Sequence, residues 1–311
     1  MKRPFLNLWP IFIQVILVLI TNLIVCCFLP QWIALDIPYT APYHPIHIFV
    51  IFSLVWFWKF RWLWGVSRSV WHFQTVSNRN IILHFDPTLK EQVDIDFLLK
   101  QIEGVVDDLA LWFDFSLRRR PVVYFFDSWK KIERAFKRQM GGCAVQPLNA
   151  IFVANDFPNL QEAIRHEMAH LFSFRWNQKA PPLLSEGLAT WLQGTNGGMH
   201  IDSAARLCFY HTLNLQQLLR PNFFFSAQYG NACYCLAGSF TGFLIRRCGW
   251  RKYRKWYRSD EIDSVRRKFQ RVFGLSLEEA ESKWQSALTT DLSPSMTVLK
   301  QRLERELAVA L

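Results

Sequence analysis

LQEAIRHEMAHLFSF, residues 160–174, decides how this chain is read. The stretch holds no Pro or Gly, and Ile164, Met168 and Leu171 fall at i, i+4 and i+7, the spacing of an amphipathic helix. On such a helix His166 and His170 are one turn apart and project from the same face. Both can therefore give an imidazole nitrogen to one tetrahedral zinc ion. Glu167 lies beside them, placed to act on a water rather than to bind the metal. This is the H-E-x-x-H arrangement, with Glu167 as the candidate catalytic base.

The next segment supplies a third ligand. RWNQKAPP, residues 175–182, is a short connector ending in two prolines, and LLSEGLATWLQG follows with Leu184, Leu188 and Trp191 at helical spacing and Gly194 as a stop. Glu186 falls in the first turn of that second helix. Folding the helix back would bring its carboxylate to the histidine pair, and Gly187 removes a side chain where the two helices have to approach closely. Two imidazoles and a carboxylate leave one zinc position open. A water polarised there has a pKa of about 7, and a nearby carboxylate can take its proton and later return one to a leaving amine.

Working outward, NIILHFD (80–86) alternates like a first strand, and 93–113 carries Ile95, Leu98, Leu99, Ile102, Val106, Leu109 and Phe113 at helical spacing. RRRPVVYFFD gives a strand at Val122–Phe126. SWKKIERAFKRQ reads as a helix capped by Ser128, and GGCAVQPLNAIFVAND as a glycine turn leading into a strand at Ala150–Ala154. From Leu160 onward the pattern is mostly helical. The expected fold class is α+β, a small sheet first and then helices packed at one side.

HEMAH followed closely by a helix containing E-G-L-A resembles the gluzincin metallopeptidases, in particular the compact peptidase MA-like proteins related to the catalytic domains of thermolysin and the membrane aminopeptidases. The likeness covers roughly residues 80–290. PVVYFFDSWKKIERAF with GGCA and NAIFVAND is similar to their sheet, YCLAGSFTGFL (234–244) to their tyrosine-bearing helix, and SLEEAESKWQSAL to a closing helix. The resemblance implies zinc held by His166, His170 and Glu186, Glu167 as general base, and substrate backbone pairing along the strand before the active-site helix. It also implies a tyrosine for the oxyanion, Tyr234 or secondarily Tyr229, with plain core packing the other reading of each. Two departures matter. The interval from His170 to Glu186 is shorter than in thermolysin, and the Gly141-Gly142-Cys143-Ala144 turn lacks the acid with which aminopeptidases grip a free amino terminus. Internal cleavage of peptides or proteins is therefore expected.

The 311-residue chain is 51% hydrophobic, with the densest apolar sequence in the first 65 residues. Ile11 to Leu29 is a nearly uncharged run of spanning length, and Ile46 to Trp58 reaches that length if extended through Lys59 and Arg61. The expectation is a two-helix membrane anchor over residues 1–65 (helices about 9–29 and 45–65), a juxtamembrane connector at 66–79 and a zincin-like metallopeptidase domain at 80–311. Lys2 and Arg3 before the first run, and Lys59, Arg61 and Arg68 after the second, predict a multi-pass membrane protein with its catalytic domain in the cytoplasm. Seven cysteines without regular spacing agree with a reducing compartment, and Cys233-x-Cys235 is read as two ordinary buried thiols.

The net charge is +11, and residues 246–271 hold eleven Lys and Arg against three acids. Membrane lipids, or plain solvent, are the expected partners of that stretch; no nucleic-acid motif accompanies it. The competing function is a non-catalytic, membrane-associated zinc or scaffold protein with a basic lipid-binding surface. Glu167 weighs against it, because a structural zinc site is closed by four protein ligands and needs no base.

Overall fold

The computed structural model describes residues 65–137, 140–208, 213–259 and 262–290. They form an α+β architecture around a five-stranded sheet. In chain order its strands are β1 (Gln74–Ser77), β2 (Ile82–Phe85), β3 (Val122–Phe126), β4 (Cys143–Val145) and β5 (Ala150–Ala154). The spatial order is β1-β2-β3-β5-β4. β2, β3 and β5 run parallel, and each edge strand is antiparallel to its neighbour. β1 falls in the stretch expected to be a connector, and β4 lies inside the expected glycine turn.

The central strands β3 and β5 read as unbroken apolar runs because both faces of the sheet are covered. Leu83, Phe85, Val123, Phe125, Ile151 and Val153 face one core. That core is filled by α1 (Ile95–Phe113), α3 (Leu160–Ser173) and the later helices. Tyr124, Phe126, Phe152 and Ala154 face the other, under α2 (Trp129–Phe136) and the helical segment at 65–70. The helices are thus not confined to one side. At α2 the predicted Ser128 cap makes no side-chain bond, and Asp156 accepts from the Trp129 N–H at 2.8 Å in its place.

The remaining elements build a helical half against α3. α4 (Pro182–Gln193) is followed by a two-residue-strand hairpin, β6 (Thr195–Asn196) and β7 (Met199–His200). α5 (Ile201–Leu207), α6 (Leu215–Leu218), α7 (Pro221–Phe224), α8 (Gly230–Cys248), α9 (Trp250–Tyr257), α10 (Ile262–Phe273) and α11 (Leu277–Thr290) complete it. α4 lies directly on α8: a Cβ at Gly187 would stand 2.9 Å from the Ala237 carbonyl oxygen and 2.8 Å from Thr241 Oγ1. The close approach at Gly187 is therefore to α8, not to the histidine helix.

The expected two-helix anchor, and with it the multi-pass membrane location and cytoplasmic catalytic domain, is corrected. Among the described residues no helix is long and apolar enough to cross a membrane. The longest, α1 and α8, have 19 residues each, and α1 carries Asp96, Lys100, Glu103, Asp107 and Asp108 along its length. The runs at about 9–29 and 45–65 on which the anchor was read lie outside the described residues, Gly65 alone excepted. What stands is the α+β class.

Candidate metal centre

α3 forms as its sequence predicts. Asn159 caps it by accepting from the Glu162 N–H, and Ile164, Met168 and Phe172 bury one face. The opposite face carries His166 and His170. α4 begins at the second of two prolines, with Pro181 as N-cap residue, its carbonyl accepting from Leu184 and Ser185. Gly194, at φ +88°, ends it. Arg165 ties the elements together, its guanidinium bonding both the Leu192 carbonyl at the end of α4 and Asp108 on α1.

This arrangement brings three ligand atoms to one point. His166 Nε2 is 3.2 Å from Glu186 Oε2, His170 Nε2 is 3.3 Å from the same oxygen, and the two Nε2 atoms are 3.2 Å apart. With metal–ligand bonds of about 2.0–2.1 Å, two ligands of a tetrahedral ion stand about 3.3–3.4 Å apart. The triangle therefore has the dimensions of one face of a zinc tetrahedron, and the donor set of two imidazoles and a carboxylate suits that metal. Among the described residues these three are the cluster able to hold one.

Glu167 lies outside the triangle. Desolvation in the cleft wall raises its carboxyl to about 7; His166 opposes the rise, Glu186 adds to it, and the Ala144 N–H, donating to the carboxylate, opposes it again. Gly142 makes room for this group, since a Cβ there would lie 3.2 Å from Glu167 Oε1. For Glu186, burial pushes the carboxyl up, but the His170 charge and the hydrogen bonds from both histidines outweigh it and hold the group well below the ordinary carboxylate range.

The triangle opens onto a cleft of about 860 Å³. Gly141, Gly142, Cys143 and Ala144 form one wall, while Asn196, Asn231 and Tyr234 belong to the other. Phe157, Phe174 and the exposed Phe225 add aromatic surface. Tyr234 lies at the site, its ring centroid 5.9 Å from that of His166, whereas Tyr229 stacks on Phe223 and does not line the cleft. The strand before α3, β5, is paired on both sides by β3 and β4 and cannot take a substrate backbone; the outer strand beside the cleft is β4.

Asp202, the first acid after α4, stands apart from the triangle, engaged with Arg246 at 2.8 Å and Ser239 at 2.8 Å. Cys233 and Cys235 are both buried on α8, and Cys235 Sγ accepts from Asn196 at 2.8 Å. Three residues of the site escaped sequence reasoning. Gln193 bonds His166 Nδ1 at 3.0 Å, Tyr257 lines the cleft, and Glu162 supports the 195–200 hairpin. Gln193 follows Glu186 by seven residues, two turns along the same face of α4, which is the signal that could have found it. No protein-family model matches the chain, and comparison with curated proteins finds no match.

Proposed function

We propose that the chain is a zinc-dependent peptidase of gluzincin type that cuts peptide bonds internally. The observation that carries the reading is the ligand triangle of His166, His170 and Glu186 with a fourth group, the Glu167 carboxylate, beside it and free of it. Bound zinc would act as a Lewis acid toward the scissile carbonyl and its attacking water. Every other role falls to side chains of this protein.

Glu167, with a carboxyl near 7, is suited to take a proton at neutral pH and to give it back to the departing amine. The Ala144 N–H aims it, and the closed pairing of β4 with β5 fixes that N–H in place. Tyr234, across the cleft, is the side chain assigned to the developing oxyanion. Phe157 and Phe174 give the reacting groups apolar walls, which strengthens electrostatic contacts by excluding water. Internal cleavage is supported by the cleft wall: among its described lining residues there is no Lys or Arg for a terminal carboxylate, and its acids are Glu162, Glu167 and Glu186. Glu162 is occupied by the hairpin N–H groups and is not available to a terminal amine.

Glu167→Gln tests the assignment. The variant should bind zinc as the parent does and lose on the order of 10²–10⁴-fold in peptide cleavage, the range for a lost general base. Retained cleavage would remove Glu167 from that role. The non-catalytic zinc-protein reading makes the opposite forecast, zinc bound by the parent with no cleavage of any peptide.

A further inference from the structure

Gln193 is held at both ends of its amide. Its Nε2 donates to the Thr195 carbonyl at 2.5 Å and toward Glu162 Oε2 at 3.5 Å, which turns Oε1 to His166 Nδ1, 3.0 Å away. An amide oxygen only accepts, so His166 Nδ1 carries the proton and, in the neutral ring, Nε2 presents a lone pair. That lone pair faces Glu186 Oε2 and His170 Nε2. A flipped amide would do the reverse. It would offer N–H to Nδ1, move the ring proton to Nε2, and close the metal side of the ring.

What prevents the flip lies one step further out. Glu162 is 6% exposed and forms no ion pair among the described residues. Its oxygens accept from Thr195 Oγ1 at 2.5 Å, the Gly198 N–H at 2.8 Å and the Gly197 N–H at 3.0 Å. Gly197 and Gly198 have φ +60° and +77°, the pair of positive values that a tight two-residue hairpin turn requires. The turn thus aims two backbone dipoles at a buried carboxylate, and that carboxylate, with Thr195, locks the amide of Gln193.

We infer that Gln193 and Glu162 are positioning residues linking the 195–200 hairpin to His166, so that order in the hairpin and affinity at the metal centre are one coupled property. The inference rests on reading His166, His170 and Glu186 as metal ligands. Because Asn196 of the same hairpin lines the cleft, whatever engages that wall acts on the ligand through this link.

The test measures metal binding and not turnover. Zinc affinity of the full chain by chelator competition should fall 10–100-fold in Gln193→Met, the range for a lost outer partner of a ligand histidine. The far-UV circular dichroism of the metal-free protein should stay that of the parent, and the absorption spectrum of the cobalt-substituted site should shift. In the parent, zinc should slow amide exchange at Gly197 and Gly198; in Gln193→Met it should not. Should that variant fail to fold, Thr195→Val, which removes a donor to Glu162 without touching His166, carries the same expectations. Parental zinc affinity in the variant, or zinc protection of the hairpin independent of Gln193, overturns the inference. A parent chain that binds no zinc overturns the metal reading itself and this inference with it.

Discussion

Gly187→Ala puts two effects of opposite sign into competition. In an isolated helix the change favours folding by about 0.8–1 kcal/mol, because alanine restricts the unfolded backbone. Against α8 the new Cβ would stand 2.9 Å from the Ala237 carbonyl oxygen, 3.2 Å from its carbon and 2.8 Å from Thr241 Oγ1. Two of those atoms are backbone of a 19-residue buried helix and cannot turn aside, so α4 has to shift by roughly half an ångström to restore ordinary contact. Overpacking of this kind costs about 1–3 kcal/mol, which outweighs the propensity gain in most of its range. The net expectation is a loss of up to about 2 kcal/mol, or several degrees in the Tm of a domain of this size. Glu186 is the neighbouring residue, so zinc affinity should fall in the same variant. Gly104 on α1 is the control: nothing lies within 4 Å of its Cβ position, and Gly104→Ala should raise stability by about 0.5–1 kcal/mol. Thermal unfolding and chelator competition on both variants decide the matter. A Gly187→Ala protein as stable as Gly104→Ala, with parental zinc affinity, would refute the reasoning that the α4–α8 contact at Gly187 fixes where Glu186 stands.

Glu186→Ala leaves two imidazoles, so zinc affinity and cleavage should fall together, in contrast to the loaded but inactive Glu167→Gln protein; unchanged chelator competition would place the third ligand elsewhere. Peptides blocked at the amino terminus should be cut at interior bonds when digests are analysed by mass spectrometry, and stepwise trimming of free termini alone would contradict the reading of the Gly141–Ala144 wall. His84 gives a pH dependence: burial lowers its pKa from 6.5 to about 4, so the unfolded chain binds a proton there that the folded protein does not. Stability is complete above about 6.5 and falls as pH drops toward 4, by about 3 kcal/mol at 1.36 kcal/mol per unit. Urea unfolding of the parent and His84→Gln between pH 7 and 4 should show the shallower loss in the variant, and parallel profiles would remove His84 as the cause.

Legibility in the sequence followed how far each feature depends on distant parts of the chain. His166 and His170 are spaced by the helix itself, and Glu186 follows across a connector too short to carry it elsewhere. The three therefore converge as the spacing implies. β3 and β5 matched their expected limits because burial on both faces leaves an unbroken apolar run. β1 and β4 were not legible: QTVS is polar and only partly buried, and CAV is three residues that become a strand through pairing with β5. The Ser128 cap failed because its role is filled by Asp156, brought in by the sheet from 27 residues away. Tyr257 reaches the cleft through the packing of α9, which no local pattern encodes. The apolar runs near the amino terminus had the composition of an anchor, while the described helices, including the two longest, have none that spans.

β4 bounds the sheet at the cleft, paired by β5 along one side, with the Ala144 N–H given to Glu167. On the proposed function, a polypeptide lying along this outer strand would do so in extended form, with its own hydrogen bonds not already made. Helical segments and strands inside another sheet are therefore poor partners, whatever their side chains. Loops, tails and unfolded chains meet the requirement at an ordering cost of about 1–2 kcal/mol for each residue fixed. If the chain is the peptidase proposed, selection at such a margin would act on the conformational state of the incoming chain before its sequence, and a well-folded protein would be spared until part of it opened.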